Sequence, residues 1–167
     1  QSSMNQSSIV NGSASFWILA AVLVAVPLVV APGLQFFDIT PKLLALVWGS
    51  CAVWLALAVE NRFPAWKGPQ AHFFRLLAGL AAAGILATVF SDDRVISLAG
   101  NEWRRMGLPA WLACLALAGA IPAAVGGDRG RRRRLVAALV LAAVAASLYG
   151  FAQYLGWDPW IPARLYH

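Results

Sequence analysis

The chain has 167 residues, of which 60% are hydrophobic and 12% charged, with a net charge of +6, a pI near 10.2 and a mean hydropathy of +0.68. Its apolar residues come in long runs, which excludes a soluble globular domain and places it among membrane proteins. The high pI does not mark a nucleic-acid binder, because the arginines gather at the ends of apolar runs and leave no surface for a basic groove.

A helix needs about 20 mostly apolar residues to cross the hydrocarbon core, and about 17 is the lower limit. By that rule the sequence predicts five crossings, at Phe16 to Leu34, Leu43 to Val59, Phe73 to Phe90, Leu108 to Val125 and Leu135 to Leu155. Short connections leave no room for a soluble domain. The expected architecture is all-α, a single polytopic membrane helix bundle over residues 16–167 that follows a tail at 1–15.

Gln1 to Ser15 has no charge and little apolar content and is expected to be disordered, with Met4 as the native start. The first span opens at Phe16 and Trp17 and lacks the basic n-region and cleavage site of a signal peptide. Pro27 and Pro32 in its second half predict a kink and an early end. The link Gln35 to Lys42 brings Pro41 to the start of the second span. Glu60 to His72 follows, with Pro64, Gly68 and Pro69 as breakers. Arg75, one turn into the third span, is placed to lay its stem along lipid while its guanidinium reaches the surface.

Ser91 to Gly107 is a polar island between two apolar runs, and it sets Asp92, Asp93 and Glu102 against Arg94, Arg104 and Arg105. Six ionisable groups in seventeen residues must be solvated by water or by a charged ligand. The fourth span then leads to a basic hairpin, Gly126 to Arg134, whose four consecutive arginines are the strongest topological signal in the chain. With that hairpin cytoplasmic, eight Lys and Arg fall inside and five outside. The N-terminus is then inside, and the island and the C-terminus, with Trp157 and Trp160, are outside.

In the fifth span Ala138, Ala142, Ala146 and Gly150 recur every four residues, and the fourth repeats the pattern with Ala110, Cys114 and Ala118. Such narrow faces let backbones approach closely, so these two spans are expected to pack on each other or on other membrane subunits, unless the pattern only reflects abundant alanine. Cys51 and Cys114 have no His, Asp or Glu at ligand spacing and read as small packing residues, so no metal is expected.

For chemistry, two readings of the island stay open. Arg94, Arg104 and Arg105 grip a diphosphate with their planar donor forks, or they pair with the three acids and only fix the loop. The acids as a general acid and base form a third, weaker reading. His72 and His167 are isolated, and Gln153 reads as a helix-to-helix hydrogen bonder. A small transporter would need ionisable groups at the bilayer midplane or symmetric broken helices, and the sequence has neither.

Three stretches carry a family resemblance. They are Pro41-Lys42 at the start of the second span, Ser97 to Gly100 followed by Arg104 to Leu108, and Tyr149 to Pro159. Together they resemble the N-terminal part of the bacterial O-antigen ligase and O-antigen polymerase superfamily, which includes protein O-oligosaccharyltransferases. The resemblance implies a multi-pass protein of the bacterial inner membrane. Such an enzyme moves a glycan from an undecaprenyl-diphosphate carrier to an acceptor on the periplasmic side, without a cofactor. Family members have about twice as many spans as the five that bilayer thickness allows here, and their catalytic loop follows the point where this chain stops. The expectation is therefore an N-terminal portion or shortened relative, inactive alone, whose Arg104 and Arg105 match the family's arginine pair. A non-catalytic subunit of a larger membrane complex, surrounded by membrane lipids, is the alternative.

Overall fold

The computed structural model describes residues 13–29, 39–63, 70–100 and 107–157, and among them are six helices and no strand. In order these are α1 (Ala14–Leu28), α2 (Ile39–Val59), α3 (Ala71–Val89), α4 (Arg94–Ala99), α5 (Leu108–Val125) and α6 (Arg129–Tyr154). The protein is an all-α bundle in which α2, α3, α5 and α6 are each long and apolar enough to cross a membrane. At 15 residues α1 is shorter, about 22 Å against the ~30 Å of a hydrocarbon core. Its helix ends at Leu28, one residue after Pro27, and residues 30–38 lie outside the described residues.

Local chemistry explains the helix ends. Gly107 in extended conformation and Pro109 in the first turn open α5, and Gly126, at φ 60°, ends it, which gives the bounds expected from the sequence. The start of α6 differs from expectation. Asp128 accepts from the backbone N–H groups of Gly130 and Arg131 at 2.7 and 3.3 Å, so the helix begins at Arg129 and not at Leu135. The turn is therefore only Gly126 to Asp128, and the arginine run forms the opening turns of α6. Arginine is a good helix former, and its charge is no obstacle outside the hydrocarbon.

The other end of α6 and the end of α2 use one device. Asn61 at φ 53° and Gly156 at φ 83° each turn the chain into the left-handed region after the helix. The N–H groups of Arg62 and Trp157 then reach back to the Leu57 and Ala152 carbonyls. At the start of α1 the helix begins earlier than expected, so Ala14 and Ser15 are helical and Ser15 is fully buried; residues 1–12 lie outside the described residues.

α1 packs on α2, α5 and α6, while α5 packs on α1, α2, α3 and α4. The shared core holds Phe16 and Leu19 of α1, Val53 and Leu57 of α2, Ala120 and Ala124 of α5, and Leu135 of α6. These come from the first turns of α1 and α6 and the last turns of α2 and α5. The core therefore lies toward the arginine-bearing end. Farther along, the Trp54 indole N–H donates to the Ala116 carbonyl at 3.0 Å, which joins α2 to α5 and satisfies a polar group among hydrocarbon. Gly49 lets α2 approach α1 so closely that an added Cβ would stand 2.6 Å from Val22 Cγ2.

The small-residue faces end up in different settings. The buried stripe of α5 is Ala110, Ala113, Leu117, Ala120 and Ala124, a three-four spacing rather than every fourth residue. Cys114 is accordingly exposed, as is Cys51, so neither is a packing residue of the core. On α6, Ala142 is buried, Ala138 and Ala146 are half-buried, and Gly150 is exposed with open space around it. That helix lies along α1, and it meets α5 near the turn rather than along its length.

Candidate functional site

The starts of α1, α3 and α6 and the ends of α2 and α5 share one end of the bundle. The polar island lies at the other. There Phe90 closes α3, and Ser91, Asp92 and Asp93 lead into α4. The Ser91 hydroxyl donates to the Asp93 carbonyl at 3.1 Å, and the Ser97 hydroxyl donates to that of Ser91 at 2.6 Å. Asp93 Oδ1 accepts from the Ile96 N–H at 3.0 Å, and Gly100 at φ 80° ends the helix. Asp93 as cap and a glycine seven residues on are an ordinary start and stop pair. Six helical residues are too few to show a period, which hides this helix in the sequence.

α4 is docked on the start of α5, where Gly107 stands against the backbone of Leu98 and Gly100 with no room for a side chain. Val89 to Val95 line an open cleft of about 590 Å³ beside it. Asp92, Asp93 and Arg94 are all exposed there, and Arg94 has no ion-pair partner among the described residues. The pairing of Arg94 with its neighbouring acids, one of the two readings left open, is thus not made with Asp92 or Asp93. Glu102, Arg104 and Arg105 lie outside the described residues, so Arg94 is the one expected site residue of the three with a described place.

The arginine-bearing end holds a constellation that sequence reasoning missed. Glu60 sits where the end of α2 meets the start of α1, and its carboxylate accepts from the Ser15 N–H at 3.0 Å and the Ser15 hydroxyl at 2.7 Å. Ser13, the residue before α1, makes no side-chain cap. Glu60 therefore caps α1 from another helix, satisfying an N-terminal donor and placing negative charge at the positive end of the helix dipole. Burial by itself pushes the Glu60 carboxyl up. The Ser15 backbone and hydroxyl bonds, followed by the Arg62 charge, outweigh burial and hold it below its ordinary value of 4.5.

Arg131 ties the same end together. Its Nη1 donates to Ser13 Oγ at 3.0 Å and to the Ala124 carbonyl at 3.2 Å, while Nε lies 3.6 Å from Asp128 Oδ2. Its guanidinium also stands 5.8 Å from the centre of the Phe16 ring. Asp128 is held below its ordinary carboxyl value by the Gly130 and Arg131 backbone N–H groups, with the charges of Arg131 and Arg134 adding to them. One signal was present in the sequence, Glu60 as a lone acid directly after an apolar run. Its partner, 45 residues away, was not visible.

No three His, Cys, Asp or Glu side chains gather as metal ligands among the described residues. His72 is exposed at the start of α3. Comparison with protein-family models, with curated proteins and with solved structures finds no match.

Proposed function

We propose that the chain is an N-terminal portion, or a shortened relative, of an inner-membrane glycan ligase or polymerase that works on an undecaprenyl-diphosphate-linked glycan at the periplasmic face. In this reading it supplies scaffold and carrier contacts, not the transfer chemistry. The observation that carries it is the position of Arg94. This residue is exposed beside an open cleft, has no acidic partner among the described residues, and lies at the end opposite the arginine-rich start of α6. With those arginines retained in the cytosol, the cleft faces the periplasm at the depth of the lipid headgroups. A guanidinium there matches the oxygens of a diphosphate. Arg104 and Arg105 complete the set on the strength of the resemblance.

The test is carrier retention by the chain purified in mild detergent, with undecaprenyl diphosphate against undecaprenol. Retention of the diphosphate should drop about tenfold in Arg94→Gln and further when Arg104 and Arg105 are also changed to Gln, since each lost charged hydrogen bond contributes ~1.5 kcal/mol or more. Equal retention of both lipids removes the reading. A reporter fused after Asn101 that is active only in the cytosol removes it as well.

The alternative, a non-catalytic subunit of a larger membrane complex, is favoured by α3. That helix buries only Ala71 and Phe74, both in its first turn, and beyond the face it packs on α5 its surface is left to lipid or to another chain. Recovery of the chain as a lone monomer in mild detergent counts against this second reading.

A further inference from the structure

The arginine-bearing end carries a second cleft, of about 540 Å³, between the end of α2, the start of α3 and the turn that joins α5 to α6. Arg62, Arg131 and Gln70 supply its donors, Phe63 and Val125 its apolar wall, and Asp128 its one acid. We propose that this cleft binds the phosphate headgroup of an anionic phospholipid. The site is separate from the Arg94 cleft and does not depend on the reading of that cleft.

The two arginines keep donors that no acceptor of the described residues takes up. Arg62 Nε is 3.7 Å from Glu60 Oε2 and Arg131 Nε is 3.6 Å from Asp128 Oδ2, both longer than a hydrogen bond. Among the described residues Arg62 places its two terminal nitrogens, and Arg131 its Nη2, against no acceptor. Both neighbouring carboxylates are committed elsewhere, Glu60 to Ser15 and Asp128 to the first amides of α6. They therefore offset the guanidiniums only in part. Arg129, Arg132, Arg133 and Arg134, all exposed in the opening turns of the same helix, add positive charge to this end with no ion-pair partner among the described residues.

Position selects a lipid over a soluble anion. The cleft opens where apolar helices stop, with α2 ending at Val59, α5 at Val125 and α3 beginning at Ala71. This is the depth at which a bilayer places its phosphates. An exposed Phe63 beside the donors offers a surface to glycerol and acyl carbons that a free phosphate would not use.

The experiment uses the full chain in mild detergent, loaded with phosphatidylglycerol or phosphatidylcholine, with bound lipid counted by native mass spectrometry. Phosphatidylglycerol should be retained over phosphatidylcholine. Arg62→Gln, an exposed change that leaves the helices intact by circular dichroism, should lower that retention about fivefold, the effect of roughly one interfacial charge. Arg62→Lys, which keeps the charge and loses the fork, should fall between the two. Arg133→Gln, outside the cleft's lining, should change retention less than about twofold.

Equal retention of the two lipids overturns the proposal. So does an equal loss in Arg62→Gln and Arg133→Gln, which reports a diffuse field in place of a site. Saturation by inorganic phosphate, with no preference between the lipids, assigns the cleft to a free anion and overturns the lipid.

Discussion

At the arginine-bearing end, side chains join helices across 45 residues between Ser15 and Glu60 and across 118 between Ser13 and Arg131. At the island end, the side-chain bonds of the described residues run between positions two to six apart. The first end also holds the shared core, while at the second, among the described residues, α4 packs on α3 and α5 and has no buried residue. Lipid gives helices no hydrophobic reason to associate, so close packing and hydrogen bonds must fix the bundle, and among the described residues both are densest at one end. The rigid end suits a scaffold.

Breaking the rigid end should produce the largest effect. Glu60→Ala strands the buried Ser15 N–H and hydroxyl together, which costs about 3 kcal/mol in a reversible unfolding measurement in mixed micelles. Adding Ser15→Ala should return about 1 kcal/mol, because one of the stranded groups is then gone. Acid tests the same bond with the opposite arm fixed. Since the folded-state pKa of Glu60 lies below its ordinary 4.5, its contribution is fully present above that value and is lost as pH falls through the folded one. Glu60→Gln should flatten this acid dependence, and an unchanged pH profile would place the linkage elsewhere.

Arg131→Ala comes next, at about 2 kcal/mol, from bonds to one hydroxyl and one carbonyl that are each made by a charged donor. Because the lost contacts join α1 and α5 to α6, the change should loosen the first turns of α1 as read by hydrogen exchange. A loss confined to α6 would show that the arginine stabilises only its own helix.

How much of this contrast was legible in the sequence depends on the range of each signal. α5 was readable to both bounds because Gly107, Pro109 and Gly126 are punctuation that acts on adjacent residues. Consecutive arginines beside a Gly-Gly pair read as a loop, whereas Asp128 opens α6 before them. Small residues on α5 suggest a period of four, whereas the burial of Ala113 and Leu117 shows the three-four alternation that a packed helix follows. The Ser15 and Glu60 pair could not be read at all. Neither residue belongs to a motif, and only the antiparallel crossing of α1 and α2 brings them together.

The island end can be broken through its backbone rather than its side chains. Gly107→Ala forces a Cβ against the Leu98 carbonyl and the Gly100 amide, neither of which can rotate away. The expected result is a cost of about 1.5 kcal/mol and a displaced α4, with faster hydrogen exchange from Arg94 to Gly100 and no change around Ser15.

Removing only the cap is gentler. Asp93→Ala deletes the one side-chain bond to the start of α4, from the Ile96 N–H, at about 1 kcal/mol. A six-residue helix has few internal bonds to spare, so this is enough to raise the fraction of time α4 spends open. The cost should appear as faster exchange at Ile96 and Ser97, and thermal unfolding of the bundle should not move, because α4 contributes nothing to the shared core. If Asp93→Ala lowers the global transition as much as Arg131→Ala does, the two ends are one cooperative unit, and the island is as much a part of the scaffold as the arginine-bearing end.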